Sequence, residues 1–290
     1  MLGNRLKDYL ELSKLKVMVP VSLTGFTGFF IFNPHFSASL FLVTAGILMM
    51  AISASVLNQV QESDLDAMMD RTHNRPIPSG RIKKSRAVVY AICSLLTGVL
   101  LVGLQGNMKA DLLGLITIII YNGIYTPLKR ITPFAVVPGA LTGALPPMMG
   151  WIAAGGAALD RPIIFIGFLM FMGQIPHFWL LIVKYGEEYK LAGLPSLTGI
   201  FSSFQIKRLT FIWVLTSVAA ALFLSLFKII QLNLITVILA AASVYLVWKF
   251  AGLLKDQEIQ INVTRYSLLL NSYFLLIMIL LISDKMITGG

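Results

Sequence analysis

Charge is scarce in this chain. Of its 290 residues, 12% are Asp, Glu, Lys or Arg, where a soluble globular chain carries about 25%. Histidine occurs three times and cysteine once. A lone cysteine excludes an internal disulfide, and Cys93 sits within an apolar run, where it reads as a small packing residue. No low-complexity tract, short repeat or secretory signal stands out. Hydrocarbon fills the space that charge leaves. Hydrophobic residues make up 57% of the chain, the mean hydropathy is +0.82, and apolar runs of about 20 residues recur along the whole length. These features exclude an ordinary soluble domain. They predict an all-α membrane protein, one domain over residues 1–290, with a polar interior buried in the lipid bilayer. The N-terminal MLGNRLKDYLELSKLK reads as an amphipathic surface helix leading into the first span.

Nine spans are predicted, at 17–33, 37–58, 87–105, 110–127, 133–154, 162–184, 209–227, 231–250 and 265–283. Alternating them places 19 of the 23 Lys and Arg residues on the side of the N-terminus and four, Lys109, Arg161, Lys228 and Lys285, on the other. The positive-inside rule then puts the N-terminus in the cytoplasm and the C-terminus outside. The net charge of +10 is thereby accounted for by topology, and no nucleic-acid partner is implied.

The segment NQVQESDLDAMMDRTHNRPIPSGR, Asn58–Arg81, runs against the rest of the composition. Asn58, Glu62, Asp66 and Asp70 are spaced four apart, so on a helix they share one face and drift by about 40° per step. Asp64 points elsewhere. Carboxylates one turn apart repel, and a helix C-terminus disfavours anions further. A bound cation reverses that balance. Mg²⁺ prefers oxygen ligands, takes one or two carboxylates and completes its shell with substrate phosphates. Arg71 and Arg75 beside such a metal suit a diphosphate, although either also reads as a positive-inside anchor. A solvated helix end would explain the acids, but not the polar Asn58, Gln59 and Gln61 at the membrane boundary.

The pattern NxxxExxxDxxxDRTxxRPxxxG resembles the first signature of the UbiA superfamily of intramembrane prenyltransferases. Three further segments resemble its heme-modifying branch, the protoheme IX farnesyltransferases: YTPLKRITPFAVVPGALTGALPPMMGW at Tyr125–Trp151, IPHFW at Ile175–Trp179 and EEYKLAGLPSL at Glu187–Leu197. The matches run from Asn58 to about Leu197. The resemblance implies nine helices around a central cavity and a first motif that binds Mg²⁺ and diphosphate. It implies transfer of a farnesyl group from farnesyl diphosphate to heme b, and hand-off of the product to a heme A synthase or a terminal oxidase. The superfamily commonly places a second pair of acids, DxxxD, on the sixth span. Here Glu188 has Lys184 four before it and Ala192 four after, and the adjacent Glu187 points about 100° away. The broader pattern is only partly met.

Lys129 and Arg130 follow Tyr121, Asn122 and Tyr125 at the end of the fourth span. If that end faces the first motif, Lys129 neutralises a departing diphosphate, with Arg130 and Tyr125 beside it; the alternative is an interface anchor. His177, within PHFW, reads either as a cavity or heme-iron contact or as a structural histidine between helices. Pro146 and Pro147 free backbone carbonyls, which a span tolerates where it lines a cavity. Two rivals stay open: an aromatic prenyltransferase that makes a quinone precursor, and an ion-coupled transporter, whose paired broken spans have no clear counterpart here.

Overall fold

The computed structural model describes residues 2–105, 107–195, 197–254 and 262–289. Among these residues there is no strand, and nine helices are long and apolar enough to cross a membrane, as the hydropathy pattern predicts. Helix α1 (Leu2–Leu12) lies ahead of the first span. The spans are α2 (Leu15–Phe32), α3 (Ala38–Gln61), α5 (Lys84–Gly103), Met108–Leu128, Pro133–Ala153, a sixth within α9 (Arg161–Leu191), α10 (Ser203–Leu226), α11 (Asn233–Ala251) and α12 (Val263–Thr288). The fourth comprises α6 (Met108–Ile118), a π-helical segment (Ile119–Tyr125) and the turn α7 (Thr126–Leu128); the fifth is carried by α8 (Val136–Ala153). A short helix, α4 (Ser63–Met68), follows α3. Lys255, counted above among the basic residues, lies outside the described residues.

Lipid supplies no hydrophobic drive between spans, so small residues must let backbones approach. The crossing of α2 on α8 depends on this. A Cβ at Gly150 would lie 1.9 Å from the Gly25 carbonyl oxygen, and one at Gly28 would lie 1.9 Å from that of Pro147. Pro146 and Pro147 therefore pack against the glycine stripe of α2 and do not line the cavity described below, which corrects the sequence expectation. Crossing α3 on α5 follows the same rule through Gly46 and Gly98. Helices α9 to α12 form a second apolar body around Leu180, Leu224, Leu239, Phe250 and Leu281. Between the two groups, on the face that carries the basic loops, α3, α4, α7 and α9 leave a polar chamber.

Candidate active site at the broken end of the second span

Helix α3 runs one turn past its apolar sequence, through Asn58, Gln59 and Gln61, and ends there. Glu62 takes φ −102°, ψ 10°, then α4 restarts the winding for six residues, and Met69 is extended. The break changes the predicted ladder. Asn58, Glu62 and Asp66 line one cavity, with Asn58 and Asp66 only 4% and 2% exposed. Asp70 lies past the end of α4, is exposed and does not line the cavity. Its spacing of four from Asp66 has no helix to act through. The following loop folds back onto α4: the buried Thr72 hydroxyl donates to the Asp66 carbonyl at 2.9 Å, and Arg75 reaches the Asp66 carboxylate, its Nη1 at 2.7 Å from both oxygens.

The fourth span supplies the facing wall. Seven residues wind as a π-helix, in which the Thr126 N–H donates to the Tyr121 carbonyl five residues back. The residue five on from Asn122 is Pro127, which has no N–H to give. Side chains add to the first carbonyl and engage the second. Thr126 Oγ1 donates to the Tyr121 carbonyl at 2.9 Å, and Gln61 Nε2 donates to the Asn122 carbonyl at 2.9 Å. Asn58 Nδ2 then donates to Thr126 Oγ1 at 3.1 Å and to Glu62 Oε2 at 2.9 Å. The polar residues at the end of α3 are thus tied to the widened turn. Tyr125 is buried in the cavity wall, and Gly139 of α8 admits its ring, since a Cβ there would lie 2.7 Å from Cε2.

Lys129 and Arg130 separate at this point. Lys129 lines the cavity, pairs with Glu62 and holds its ammonium 4.7 Å from the centre of the Tyr125 ring. Arg130 turns away: it forks onto exposed Asp64 at 2.9 and 2.8 Å and caps the Gln61 carbonyl. That pairing holds the Asp64 carboxyl below its usual range and raises the Arg130 guanidinium. Arg71 lines the cavity rim and stacks on Tyr185 of α9, 4.7 Å from the ring centre.

One cavity cation escaped the sequence reading. Lys14, counted there only as a topological charge, sits in the left-handed region (φ 47°, ψ 45°) between α1 and α2 and lines the cavity beside Asn58, Glu62 and Asp66. Burial, and then Arg75, lower its ammonium from 10.5 to about 7. Nothing in LSKLKVMVP signals that kink.

The cavity encloses about 280 Å³, near the lower bound of ligand pockets, which suits a polar head group. One end is charged; the other is walled by Val136, Phe178, Leu181 and Ile182. His177 is not among the lining residues; its neighbour Phe178 is. Among the described residues His177 Nδ1 and Glu188 Oε2 are buried without hydrogen-bond partners, and Glu188 does not line the cavity either. The Glu187 side chain lies outside the described residues. Neither Trp151 nor Trp179 faces the cavity; Trp151 donates to Asp160 at 3.0 Å.

Among the described residues no three His, Cys, Asp or Glu side chains gather to hold a metal by themselves. Glu62 and Asp66 supply two carboxylates, and among the described residues no hydrogen bond engages Asn58 Oδ1. A hard ion that draws its remaining oxygens from a phosphate fits this donor set.

The profile of the UbiA prenyltransferase family matches residues 19–277. The chain belongs to that family. It is a UbiA-family prenyltransferase, an enzyme class consistent with an acid-and-base cavity opening onto an apolar wall. Among curated relatives, the protoheme IX farnesyltransferase of Oleidesulfovibrio alaskensis is 31% identical over 280 residues, 97% of each chain. That of Geobacter sulfurreducens is 41% identical over 161 residues, 56% of this chain and 59% of its own. Among solved structures, a digeranylgeranylglyceryl phosphate synthase superposes with a TM-score of 0.77 at 19% identity, covering 98% of this chain and 99% of its own. A UbiA homolog from Archaeoglobus fulgidus bound to GPP and Mg²⁺ gives 0.75 at 17%, covering 98% and 100%. These structural likenesses establish the UbiA fold and leave the substrate to the site.

Proposed function

We propose that this protein transfers the farnesyl group of farnesyl diphosphate to a vinyl group of heme b, with water supplying the hydroxyl of the product, giving heme O and diphosphate. The observation that carries the transferase reading is the shared cavity of Glu62 and Asp66 with Lys14, Arg71, Arg75 and Lys129, backed by an apolar wall. The heme acceptor rests on the names of the relatives.

Asn58, Glu62 and Asp66 would hold Mg²⁺, which when bound supplies positive charge to the diphosphate oxygens. Arg75, Arg71 and Lys14 bind and orient the diphosphate. Lys129 neutralises the leaving group as the C–O bond breaks, a type of charge stabilisation often worth more than any other catalytic term. The Tyr125 ring, which holds the Lys129 ammonium 4.7 Å from its centre, can favour an allylic cation by the same π attraction once Lys129 has turned to the diphosphate. Phe178 and Leu181 keep water from capturing that cation early. No nucleophilic side chain is needed, because the vinyl group is the nucleophile. The positive-inside asymmetry orients this site towards the cytoplasm of a plasma membrane, and the product passes to a heme A synthase or a terminal oxidase.

Purified protein with Mg²⁺ and farnesyl diphosphate, offered heme b, 4-hydroxybenzoate or a naphthoate in turn, tests the reading. Turnover with heme b supports it. Turnover of an aromatic acid without heme replaces it with the quinone-precursor reading. Absence of diphosphate release with all three removes the transferase reading.

A further inference from the structure

Both cavity carboxylates already have cationic partners. Arg75 Nη1 sits 2.7 Å from both oxygens of Asp66, a residue only 2% exposed. Glu62 accepts the Asn58 amide at 2.9 Å and the Lys129 ammonium. Each acid assigned to the metal is therefore held by a base assigned to the diphosphate. The other two cavity cations are placed differently. Among the described residues the Lys14 side chain makes no hydrogen bond or ion pair, and Arg71 rests on the Tyr185 ring.

Buried carboxylates left without partners are costly, so an empty cavity needs these pairings. A divalent ion needs the same oxygens, and a guanidinium nitrogen at 2.7 Å from both of them occupies the positions the ion requires. The ion and the guanidinium also repel. Resting on the prenyltransferase reading above, we infer that Arg75 and Lys129 are place-holders: they neutralise Asp66 and Glu62 in the empty cavity, release them to the metal, and turn to the diphosphate. Metal alone strands two cations near a third charge, and diphosphate alone strands two acids. Only the pair leaves every charge matched, so metal and diphosphate each bind weakly alone and tightly together, with reciprocal coupling.

The test measures Mn²⁺ binding by electron paramagnetic resonance to the full chain in detergent at pH 6, where Lys14 carries its proton. It is run with and without a farnesyl thiolodiphosphate analogue. In the wild type the analogue tightens Mn²⁺ at least about tenfold. Arg75→Gln, freed of a charge-assisted competitor, binds Mn²⁺ alone at least about tenfold tighter than the wild type and loses most of the coupling. Lys129→Gln does the same through Glu62, and stands in if Arg75→Gln does not fold. Lys14→Gln removes a charge from the same cavity without breaking a pair and changes Mn²⁺ affinity alone less than about threefold. Unchanged or weaker Mn²⁺ binding by Arg75→Gln and Lys129→Gln overturns the inference, as does equal tightening by Lys14→Gln, which would mark a general field effect. Both results leave the prenyltransferase reading in place. A wild type that binds neither Mn²⁺ nor the analogue overturns both.

Discussion

Asp66 and Asp70 are alike in sequence and unlike in structure, and their separate neutralisation is the sharpest test of the site. Asp66→Asn replaces two close contacts from Arg75 with at most one neutral bond. Charge-assisted bonds contribute about 1.5–3 kcal/mol and neutral ones about 0.5–1.5 kcal/mol, so the folded state loses about 1–2 kcal/mol. That is too little to unfold nine packed spans. Activity suffers more. Residues that only orient a ligand to metal cost about 10–100-fold, and loss of a directly acting electrostatic group about 10²–10³-fold. Turnover of Asp66→Asn therefore falls at least about 10²-fold while the protein stays inserted and monodisperse. Asp70→Asn, at an exposed site outside the cavity, stays within about threefold, as surface changes within ±0.5 kcal/mol do. Radiolabelled farnesyl transfer in nanodiscs gives turnover, and a thermal melt gives folding. If Asp70→Asn falls as far as Asp66→Asn, the helix break at Glu62 is not the boundary of the site. If Asp66→Asn keeps a tenth of the activity, Asp66 holds no metal.

Three other results are expected. Lys129→Met lowers turnover by about 10²–10³-fold, whereas Arg130→Met, which breaks only an exposed pair with Asp64, leaves it within about threefold; the same transfer assay separates them. Gly150→Ala forces α2 and α8 apart, because its Cβ would meet the Gly25 carbonyl at 1.9 Å, and costs about 3 kcal/mol by denaturant titration. Gly199→Ala, which meets nothing, changes stability by less than about 0.5 kcal/mol. Lys14 gives a pH signature in metal-free protein. Its folded value of about 7 lies below the unfolded value of about 10.4, so between about pH 7 and 10 the unfolded chain binds the extra proton and the melting temperature rises with pH. Below pH 7 both states are protonated and the contribution is constant. Lys14→Met flattens the rise.

Most of the fold was legible because hydropathy and basic loops report directly on burial in lipid. The nine spans and the rank of Asn58, Glu62 and Asp66 follow from run length and a period of four. Three details were hidden. The helix break at Glu62 comes with no proline or glycine between Asn58 and Asp70 to announce it, so Asp70 read as a fourth rung. The π-helical turn in Ile119–Tyr125 has the same hydropathy as an ordinary one, so adjacent Lys129 and Arg130 could not be told apart as cavity wall and surface pair. Lys14 owes its place to a backbone kink that its neighbours do not announce, and a topological count absorbed it. His177 and Glu188 were singled out by motif, and the helix turns both away from the cavity lining.

The widened turn of the fourth span ties two parts of the enzyme to one fate. Rewinding Ile119–Tyr125 to ordinary pitch would pass the Thr126 N–H from the Tyr121 carbonyl to that of Asn122, and Gln61 would lose the acceptor it now serves. The Thr126 hydroxyl that anchors Asn58 would shift with its backbone. A change of backbone pitch at the aromatic wall therefore moves the anchors of the acidic floor with it.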